Sequence, residues 1–478
     1  MTKANSYLAK LLYNSLEGDE GMRQTPYTFQ DTDAFKSTEQ LIIKGRFFAT
    51  TVSGEFNQFE PKKRNIHKIL NIKNKLLVPE LLAVKRERMS ESLFAFLRGT
   101  VDVMHYDMSR NENSGIKVLV GGDAHIGNFG FYGSSEGQLL FDMNDFDEAH
   151  LGHWEYDLKR LLVSALLVAR DHGFEESDIQ EFLLTVVDTY FDTLKHMTKI
   201  SEMKRFILPN TLQNITEIFG NLQDTEQYFQ DSFNKVIAKS IKKAQRSNSK
   251  LVIEKYTELN EQGQRRFVEN KPVTQHINDK DYKNLVEGYK SYKRNQRSDV
   301  RLFLEDFNII DVVRHSVGVG SVGTLCYLIL LEDLDSNYLV LQAKQALPIY
   351  NNDELYSDKN VSQGQNIVDS QLILQSASDP FLGAFDTKKY SFYMRQFKDM
   401  KSSIKLDKLD FESFKDYVKV CVILLARAHS HSPNYPLIIG FGEEYADIAN
   451  SLMNFTNNYV KQVEYDFESF EKELRNEK

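Results

Sequence analysis

Cysteine and proline are scarce in this chain of 478 residues, and long apolar runs are absent. Cys326 and Cys421 both lie inside apolar segments, so we expect two buried thiols and neither a disulfide framework nor a zinc cluster. The 9 prolines favour long helices over a loop-rich chain. No segment approaches the roughly 18 apolar residues that span a bilayer, and residues 1–20 lack the features of a secretory signal. We therefore expect a cytoplasmic protein.

An excess of positive charge is also missing. The chain has 59 Lys and Arg residues against 68 Asp and Glu residues, which gives a formal net charge of −9. This balance predicts neither nucleic acid nor a membrane surface as a partner. The hydrophobic share of 41% and the charged share of 27% are typical of a globular protein with a large core.

Five regions with different residue patterns follow one another along the chain, which predicts an α+β protein. Helical periodicity dominates both ends, and short strand-like runs lie in the second region. A charged, helix-prone stretch resembles an inserted helical module, and strand-like runs alternate with glycines after it. We place the five regions at residues 1–110, 111–200, 201–305, 306–400 and 401–478.

Individual elements can be placed within these regions. Residues 88–108 have apolar side chains at helical spacing, and Ser90 is the predicted N-cap. Residues 116–120 and 139–143 predict short strands, and the apolar runs on either side of residues 332–337 predict a β-hairpin. The single tryptophan, at position 154, is expected in the core.

The strongest chemical pattern is an acidic loop followed by an acidic strand end. Phosphoryl transfer needs a carboxylate beside the acceptor hydroxyl and oxygen ligands for Mg²⁺ beside the nucleotide phosphates. Asp123 and Asn128 lie five residues apart on one loop and can divide these tasks, and Asp145 follows the next strand. Asp142 and Asp147 are further candidates for the metal. A single Asp in such a turn more often caps a helix, but the full spacing favours a functional site.

A glycine-rich segment in the fourth region is the second pattern. Glycines let the backbone approach phosphates closely, and a Lys on a nearby strand can pair with phosphate oxygens. A dinucleotide site would require a helix directly after the glycines, whereas a strand-like run follows here, so the pattern favours a loop folded over ATP. The residues concerned are Gly318, Gly320, Ser321, Gly323 and Lys344.

Several segments together resemble a known family. The segments GDAHIGNFG and FDMNDFDEAHLGHWEYDLKRL are similar to the aminoglycoside-phosphotransferase branch of kinase-like proteins. More closely, they resemble the bacterial family DUF2252, as do LQAKQA, FYMRQFKDMKSS and LARAHSHS, so that the resemblance covers most of residues 85–470. It implies a kinase-like fold of two lobes, one mainly helical and catalytic, the other small, antiparallel and nucleotide-binding.

The resemblance also implies roles for individual residues. Asp123 would be the catalytic base, and Asn128 and Asp145 would bind Mg²⁺. Asp157 would accept hydrogen bonds from the backbone of the catalytic loop, and His125 would support that loop or be a packed core histidine.

The acidic partner of Lys344 is less clear from the sequence. We place it at Asp369, on the helix that follows, with Glu354 as the second choice. His429 and His431 resemble a metal-binding pair only superficially, since no third ligand is evident.

The order of the motifs departs from that of kinases, because the glycine-rich segment and its Lys follow the catalytic loop here. A circular permutation accounts for this, with the nucleotide lobe at 306–400 and the catalytic lobe drawn from residues 111–200 and 401–478. We expect an ATP- and Mg²⁺-dependent phosphotransferase acting on a hydroxyl-bearing small molecule or protein. The alternatives are nucleotidyl transfer to protein on the same fold, a catalytically silent ATP-binding module, and a metal phosphoesterase built on Asp123, His125 and nearby acids.

Overall fold

Helices form most of the chain on either side of a central β-rich segment. The computed structural model describes residues 37–53, 56–223, 229–246, 249–316, 322–351, 354–356, 362–397 and 401–476. The helices, in chain order, are α1 (Thr38–Thr51), α2 (His67–Asn74), α3 (Leu82–Met89), α4 (Leu93–Gly99), α5 (Val101–Met108), α6 (Trp154–Asp171), α7 (Glu176–Thr198), α8 (Glu202–Ile207), α9 (Leu212–Gln223), α10 (Asp231–Arg246), α11 (Ser249–Tyr256), α12 (Asp279–Asn295), α13 (Ser298–Glu305), α14 (Gln363–Leu374), α15 (Phe411–His429), α16 (Pro436–Glu444) and α17 (Ile448–Asn476).

The strands pair in antiparallel fashion throughout, so the protein is of the mixed α+β class. The strands are β1 (Lys117–Val120), β2 (Phe129–Gly133), β3 (Leu139–Met143), β4 (His150–His153), β5 (Thr257–Leu259), β6 (Arg265–Phe267), β7 (Thr274–His276), β8 (Asn308–His315), β9 (Cys326–Glu332), β10 (Tyr338–Ala346), β11 (Ile349–Asn351), β12 (Glu354–Tyr356), β13 (Gly383–Asp386), β14 (Ser391–Gln396) and β15 (Ser402–Ser403). The largest sheet has the order β13-β14-β10-β9-β8-β7, and a smaller one has the order β15-β2-β3.

The helical core is centred on α6. Sixteen of its 18 residues are buried, because α4, α7, α15 and α17 and strand β1 pack around it. Trp154, at its start, is fully buried and stacks on Tyr190 of α7, as expected for a core residue. Cys326 and Cys421 are both buried free thiols, which confirms the sequence prediction. Within the described ranges, no helix combines the length and apolar character needed to cross a membrane.

The six-stranded sheet is covered on both faces. Side chains alternate between faces along a strand, so Leu341 and Ala343 of β10 contact α12 and α13. Val340 lies on the opposite face, which α11 covers with Val252 and Ile253. Lys344 shares this second face by register.

Two local expectations differ from the structure. Residues 88–108 are not one helix: they span the end of α3 and the short helices α4 and α5. Ser92 is the N-cap and accepts a hydrogen bond from the backbone N of Ala95, whereas Ser90 follows the last turn of α3.

The charged region at 201–305 is helical in large part, as expected, but it also contains β5, β6 and β7. Strand β7 pairs with β8 at the edge of the six-stranded sheet, and α11 packs on β10. Much of this region is therefore built into the sheet that carries Lys344. The three strands are only three residues long, too short for periodicity to reveal them.

Candidate active site

The loop that carries Asp123 begins at a glycine pair directly after β1. Gly122 has φ +78°, and a Cβ there would lie 2.0 Å from the carbonyl oxygen of Glu148, so this turn requires glycine. Asp157, in the first turn of α6, accepts hydrogen bonds from the backbone N of Gly121 at 2.7 Å and of Gly122 at 2.9 Å. This is the backbone contact that the sequence analysis expected of Asp157.

The histidine at the C-terminal end of α15 contacts the carboxylate of Asp157. The Nε2 atom of His429 lies 3.3 Å from a carboxylate oxygen of Asp157, and its Nδ1 atom lies 2.6 Å from the Tyr190 hydroxyl. His431 contacts the carbonyl oxygen of Ile373 instead, so the two histidines do not form a metal pair. The sequence analysis missed this role of His429.

Asp123 is buried and is held by an arginine from α6. The Nε atom of Arg160 donates to Asp123 Oδ1 at 2.8 Å, and its terminal NH2 group donates to the carbonyl oxygen of Leu97. His125 Nε2 lies 3.6 Å from the other carboxylate oxygen. Burial raises the pKa of the Asp123 carboxyl, the charge of Arg160 opposes this, and the nearby Asp145 adds to it. The sequence analysis did not identify Arg160.

His125 is packed beneath the loop as a neutral ring. Its ring makes an edge contact with Phe94, at 5.8 Å between centroids. Burial lowers its pKa well below the usual value, and the positive charges of Arg98 and Arg160 add to this effect. The guanidinium of Arg98 lies over the same Phe94 ring, and its Nε atom has no hydrogen-bond partner among the described residues.

Asn128 joins the two halves of the acidic pattern. It is the last residue of a short 3₁₀-helix, Ile126–Asn128, at the end of the loop that carries Asp123. Its Nδ2 atom donates to the carbonyl oxygens of Asp123 and Asp145, at 3.0 Å each. Because both N–H groups of the amide are used, the orientation of its Oδ1 atom is determined.

The ammonium of Lys344 contacts two acids that follow β3, Asp145 and Asp147. Its ammonium is 3.4 Å from Asp145 Oδ1 and also pairs with Asp147, whose Oδ1 accepts a hydrogen bond from the Tyr393 hydroxyl at 2.7 Å. Burial works against ionisation of Asp145, but the charges of Lys344 and Arg395 outweigh it and lower its pKa. The Asp145 side chain is 40% exposed, so solvent reaches it despite the contact with Lys344.

The two other candidate acids lie in different places. Asp142 is fully buried and accepts hydrogen bonds from Asn210 Nδ2 and from the backbone N of Met143, and burial raises its pKa to about 6. Asp147 is partly exposed and contacts Lys344. Of the two, the structure brings only Asp147 to the candidate metal position.

The contacts of Lys344 differ from the sequence expectation for its partner. Asp369 accepts a hydrogen bond from Gln365 Nε2 at 2.7 Å, one turn earlier on α14, and it does not contact Lys344. The side chain of Glu354 lies outside the described residues. The ammonium is instead matched by Asp145 and Asp147, which follow β3.

Most of the glycine-rich segment, including Gly318, Gly320 and Ser321, lies outside the described residues. Gly323 is described and has φ +106°. A Cβ at this position would lie 2.8 Å from the side chain of Leu77. The carbonyl oxygen of Gly323 accepts a hydrogen bond from Val78 N at 2.7 Å. The end of the segment is therefore attached to the N-terminal helical region.

The residues present fit a magnesium ion shared with a nucleotide more closely than a protein-enclosed metal site. In the described parts of the chain, no group of three or more His, Cys, Asp or Glu residues is arranged to hold a metal. Mg²⁺ usually binds one or two carboxylates and completes its shell with waters and substrate phosphates. The carboxylate of Asp145 and the amide oxygen of Asn128 would supply the protein ligands.

Comparison with known proteins gives a family but no function. No curated protein and no solved structure matches this chain significantly. One family model matches residues 77–473, most of the chain, and is described as an uncharacterized protein conserved in bacteria, DUF2252. This match confirms the family resemblance seen in the sequence. The chain therefore belongs to the DUF2252 family.

Proposed function

We propose that this protein is an ATP- and Mg²⁺-dependent phosphotransferase with a circularly permuted, kinase-like fold of two lobes. The observation that carries the proposal is the 3.4 Å contact between Lys344 and Asp145, which are 199 residues apart in the chain. In kinases, a strand-borne Lys and a metal-binding Asp face the same nucleotide phosphates. Lys344 and Asp145 have the chemistry and the proximity for these two roles.

The order of elements in the six-stranded sheet supports a nucleotide lobe. In protein kinases a glycine-rich loop covers the phosphates and the Lys lies on the third strand. Here the glycine-rich segment joins β8 to β9, and Lys344 lies on β10, the next strand. Helix α14 follows, and β13 and β14 then extend the sheet beside β10. The catalytic loop comes earlier in the chain instead of later, as a permutation requires.

The packing of the two ends of the described chain also supports a permutation. Rearrangements of this kind are tolerated where the chain ends lie close together. Helix α1 packs against α16 through a glycine on each side. A Cβ on Gly45 would lie 2.0 Å from the carbonyl oxygen of Leu437, and one on Gly440 would meet that of Ile42. The first described helix and the last helix but one are thus in backbone contact.

Asp123 is assigned the role of base for the acceptor hydroxyl. A general base is most effective when its pKa lies near the working pH, and burial moves the pKa of Asp123 in that direction. Arg160 holds one carboxylate oxygen, which leaves the other to face the acceptor. Arg160 and the backbone contacts of Asp157 are positioning groups in this scheme.

Among the residues that the structure describes, Lys344 pairs with no glutamate, and this is the main difference from protein kinases. There the Lys pairs with a Glu from the following helix, and the pair must form for activity. Here Lys344 pairs with Asp145 and Asp147 of the other region, and Tyr393 orients Asp147. The ammonium is thus held across the cleft, where it would exchange carboxylate oxygens for phosphate oxygens when a nucleotide binds.

A metal phosphoesterase fits these residues less well. It would need Asp123, His125, Asp142 and Asp145 to converge on one metal. Asp142 faces Asn210 in the interior, and His125 is packed against Phe94. Nucleotidyl transfer and silent ATP binding would use the same cleft and are separated from phosphotransfer by experiment.

The test uses ATP labelled separately at the α and γ phosphates, with Mg²⁺ and the purified protein. Phosphotransfer predicts that only the γ label moves, to water, to the protein itself or to an added acceptor. Asp123→Asn should reduce this transfer strongly. Movement of the α label would show nucleotidyl transfer, and ATP binding without any transfer would show a silent module. Label movement that is unchanged in Asp123→Asn would contradict the assigned site.

A further inference from the structure

An arginine of α4 lies beside the loop that carries Asp123. Arg98 is in the last turn of this helix, and its side chain is partly exposed. Its Nε atom is buried and has no hydrogen-bond partner, and no acid in the described ranges forms an ion pair with its guanidinium. The guanidinium lies over the ring of Phe94, with 5.8 Å between Cζ and the ring centroid. Since Nε is buried and the residue is partly exposed, its terminal N–H groups are the part that solvent reaches.

Arg160 fixes the end of α4 next to Asp123. Its Nε atom donates to Asp123 Oδ1 at 2.8 Å, and its NH2 group donates to the carbonyl oxygen of Leu97 at 2.7 Å. Leu97 directly precedes Arg98 in the chain. One guanidinium group therefore separates the Asp123 carboxylate from the backbone next to Arg98.

The side chain of Arg98 lies on the side of Asp123 that Arg160 leaves free. The ring of Phe94 also makes the edge contact with His125, and His125 Nε2 lies 3.6 Å from Asp123 Oδ2. Burial lowers the pKa of His125 well below its usual value, and the charge of Arg98 is the next cause, ahead of that of Arg160. Ring contacts and electrostatics thus place Arg98 near the oxygen that would receive the acceptor hydroxyl.

The two arginines at this loop differ in how their charges are matched. Arg160 pairs with Asp123, so these two charges largely offset each other. Arg98 has no such partner in the part of the chain that the structure describes, and it leaves an excess positive charge beside the loop. The N–H groups of a guanidinium form a planar fork that binds a phosphate or a carboxylate through two hydrogen bonds. A neutral acceptor would gain nothing from this charge, whereas an anionic one would.

We propose that Arg98 binds an anionic group of the acceptor, a phosphate or a carboxylate, and so limits the acceptor to small hydroxyl compounds that carry such a group. This inference rests on the proposed function and extends it. Arg98 and Asp123 do not contact each other, so one molecule can place its anionic group at Arg98 and its hydroxyl at Asp123. Arg98 determines specificity in this scheme and takes no part in the transfer itself.

Three compounds that share hydroxyl groups and differ in charge test this inference on the full chain. Glycerol, glycerate and glycerol 3-phosphate are titrated separately into the protein by calorimetry, without ATP and with sodium chloride holding the ionic strength constant. We expect at least one of the two anions to bind about tenfold or more tightly than glycerol, as a charge-assisted hydrogen bond predicts. The tighter of the two identifies the group as a phosphate or a carboxylate. If neither anion binds more tightly than glycerol, the proposal is overturned.

Variants of Arg98 show whether the preference comes from this residue. Arg98→Gln should remove the preference for the anion, and its Tm should stay close to that of wild type because no ion pair is lost. Arg301→Gln, at an exposed position of α13, is the control and should keep the preference. If Arg98→Gln does not fold, Arg98→Lys decides: an ammonium lacks the planar fork, so affinity for the anion should fall while affinity for glycerol stays the same. Unchanged anion affinity in the folded variant, or an equal loss in Arg301→Gln, would overturn the proposal.

The same titrations separate a failure of this inference from a failure of the proposed function. They contain no ATP, so their outcome does not depend on whether the protein transfers phosphate. Anion binding that requires Arg98, in a protein that never transfers the γ phosphate, would support the anion site and contradict phosphotransfer. Transfer of the γ phosphate to glycerol in preference to both anions would do the reverse. Anion binding that MgATP abolishes would place the anion at Lys344 and would also overturn the role of Arg98.

Discussion

The loop at residues 123–128 and the strand that bears Lys344 lie on opposite sides of the proposed nucleotide-binding cleft, and different contacts hold them in place. Buried polar side chains bind the backbone of the loop: Asp157 accepts from its first glycines, and Ser164 and Tyr417 bind the N and O atoms of Ile126. The strand is held by ladder hydrogen bonds to β9 and β14 and by apolar contacts on both faces.

This difference matters for how each side responds to change. A loop held by a few buried polar contacts loses its shape when one of them is removed, because the freed backbone groups stay buried. A strand inside a six-stranded sheet keeps its position when one side chain changes, since the ladder remains. Substitutions under the loop should therefore affect folding, and substitutions on β10 and β14 should affect mainly charge and ligand binding.

The largest expected effect is at Asp157. Asp157→Ala removes the acceptor for Gly121 N and Gly122 N and leaves both buried. We expect a loss of about 3 kcal/mol or more in the free energy of unfolding, since each buried unsatisfied group costs about 1–3 kcal/mol. Denaturant unfolding measures it. Asp171→Ala, at the exposed end of the same helix, is the control and should change stability by less than about 0.5 kcal/mol. Equal effects at both positions would show that the loop does not depend on Asp157.

Asp123→Asn tests the chemistry of the same loop without disturbing its shape. The amide keeps an oxygen that can accept from Arg160 Nε, so the fold should be retained. Loss of the base should lower the rate of γ-phosphate transfer by ~10²-fold or more, while the thermal shift with MgATP stays near that of wild type. Steady-state kinetics and thermal unfolding on the same sample give both values. A normal rate, or a lost nucleotide response, would remove Asp123 from the role of base.

The loop motif could be predicted from the sequence because its chemistry is local. Asp123 and Asn128 are on one turn and Asp145 follows the next strand, so their spacing alone suggests their proximity, whereas the role of Asp157 came from the family resemblance. The contact between Lys344 and Asp145 depends on how β10 packs against the segment after β3, which is distant in sequence. Only the family resemblance suggested that these two residues lie near each other.

Other features of the site could not be predicted from the sequence, for physical reasons. Arg160 and His429 act through single buried contacts with Asp123 and Asp157, and nothing in their periodicity separates them from other core positions. Asp369 was the expected partner of Lys344 because it lies on the following helix, but the charge is matched from the opposite side of the cleft.

Asp145→Ala tests the place where the loop side of the proposed cleft contacts the strand that bears Lys344. If Asp145 and Asn128 bind Mg²⁺, ATP should stabilise wild type only when Mg²⁺ is present, by about 2.7 kcal/mol at a concentration one hundred times Kd. The variant should lose this metal-dependent increase. Asp142→Asn is the matched control, because Asp142 is buried against Asn210 and should leave the response intact. A response that Asp142→Asn abolishes and Asp145→Ala preserves would move the metal site to the interior acid.

The smallest expected effect is at Tyr393, a residue of β14 whose hydroxyl group contacts Asp147. Tyr393→Phe removes the hydroxyl that donates to Asp147 at 2.7 Å, inside a contact that includes Lys344. We expect a loss of about 1.5 kcal/mol in unfolding free energy, the usual value for a buried hydrogen bond to a charged group. Tyr338→Phe is the control, since its hydroxyl donates to Glu332 at the outer end of the same sheet, where water can replace it. The strand should keep its place in both variants, so ladder amides of β10 should exchange hydrogen at wild-type rates. Faster exchange along β10 in Tyr393→Phe would show that the strand, like the loop, depends on a single buried polar contact, and the distinction between the two sides of the cleft would not hold.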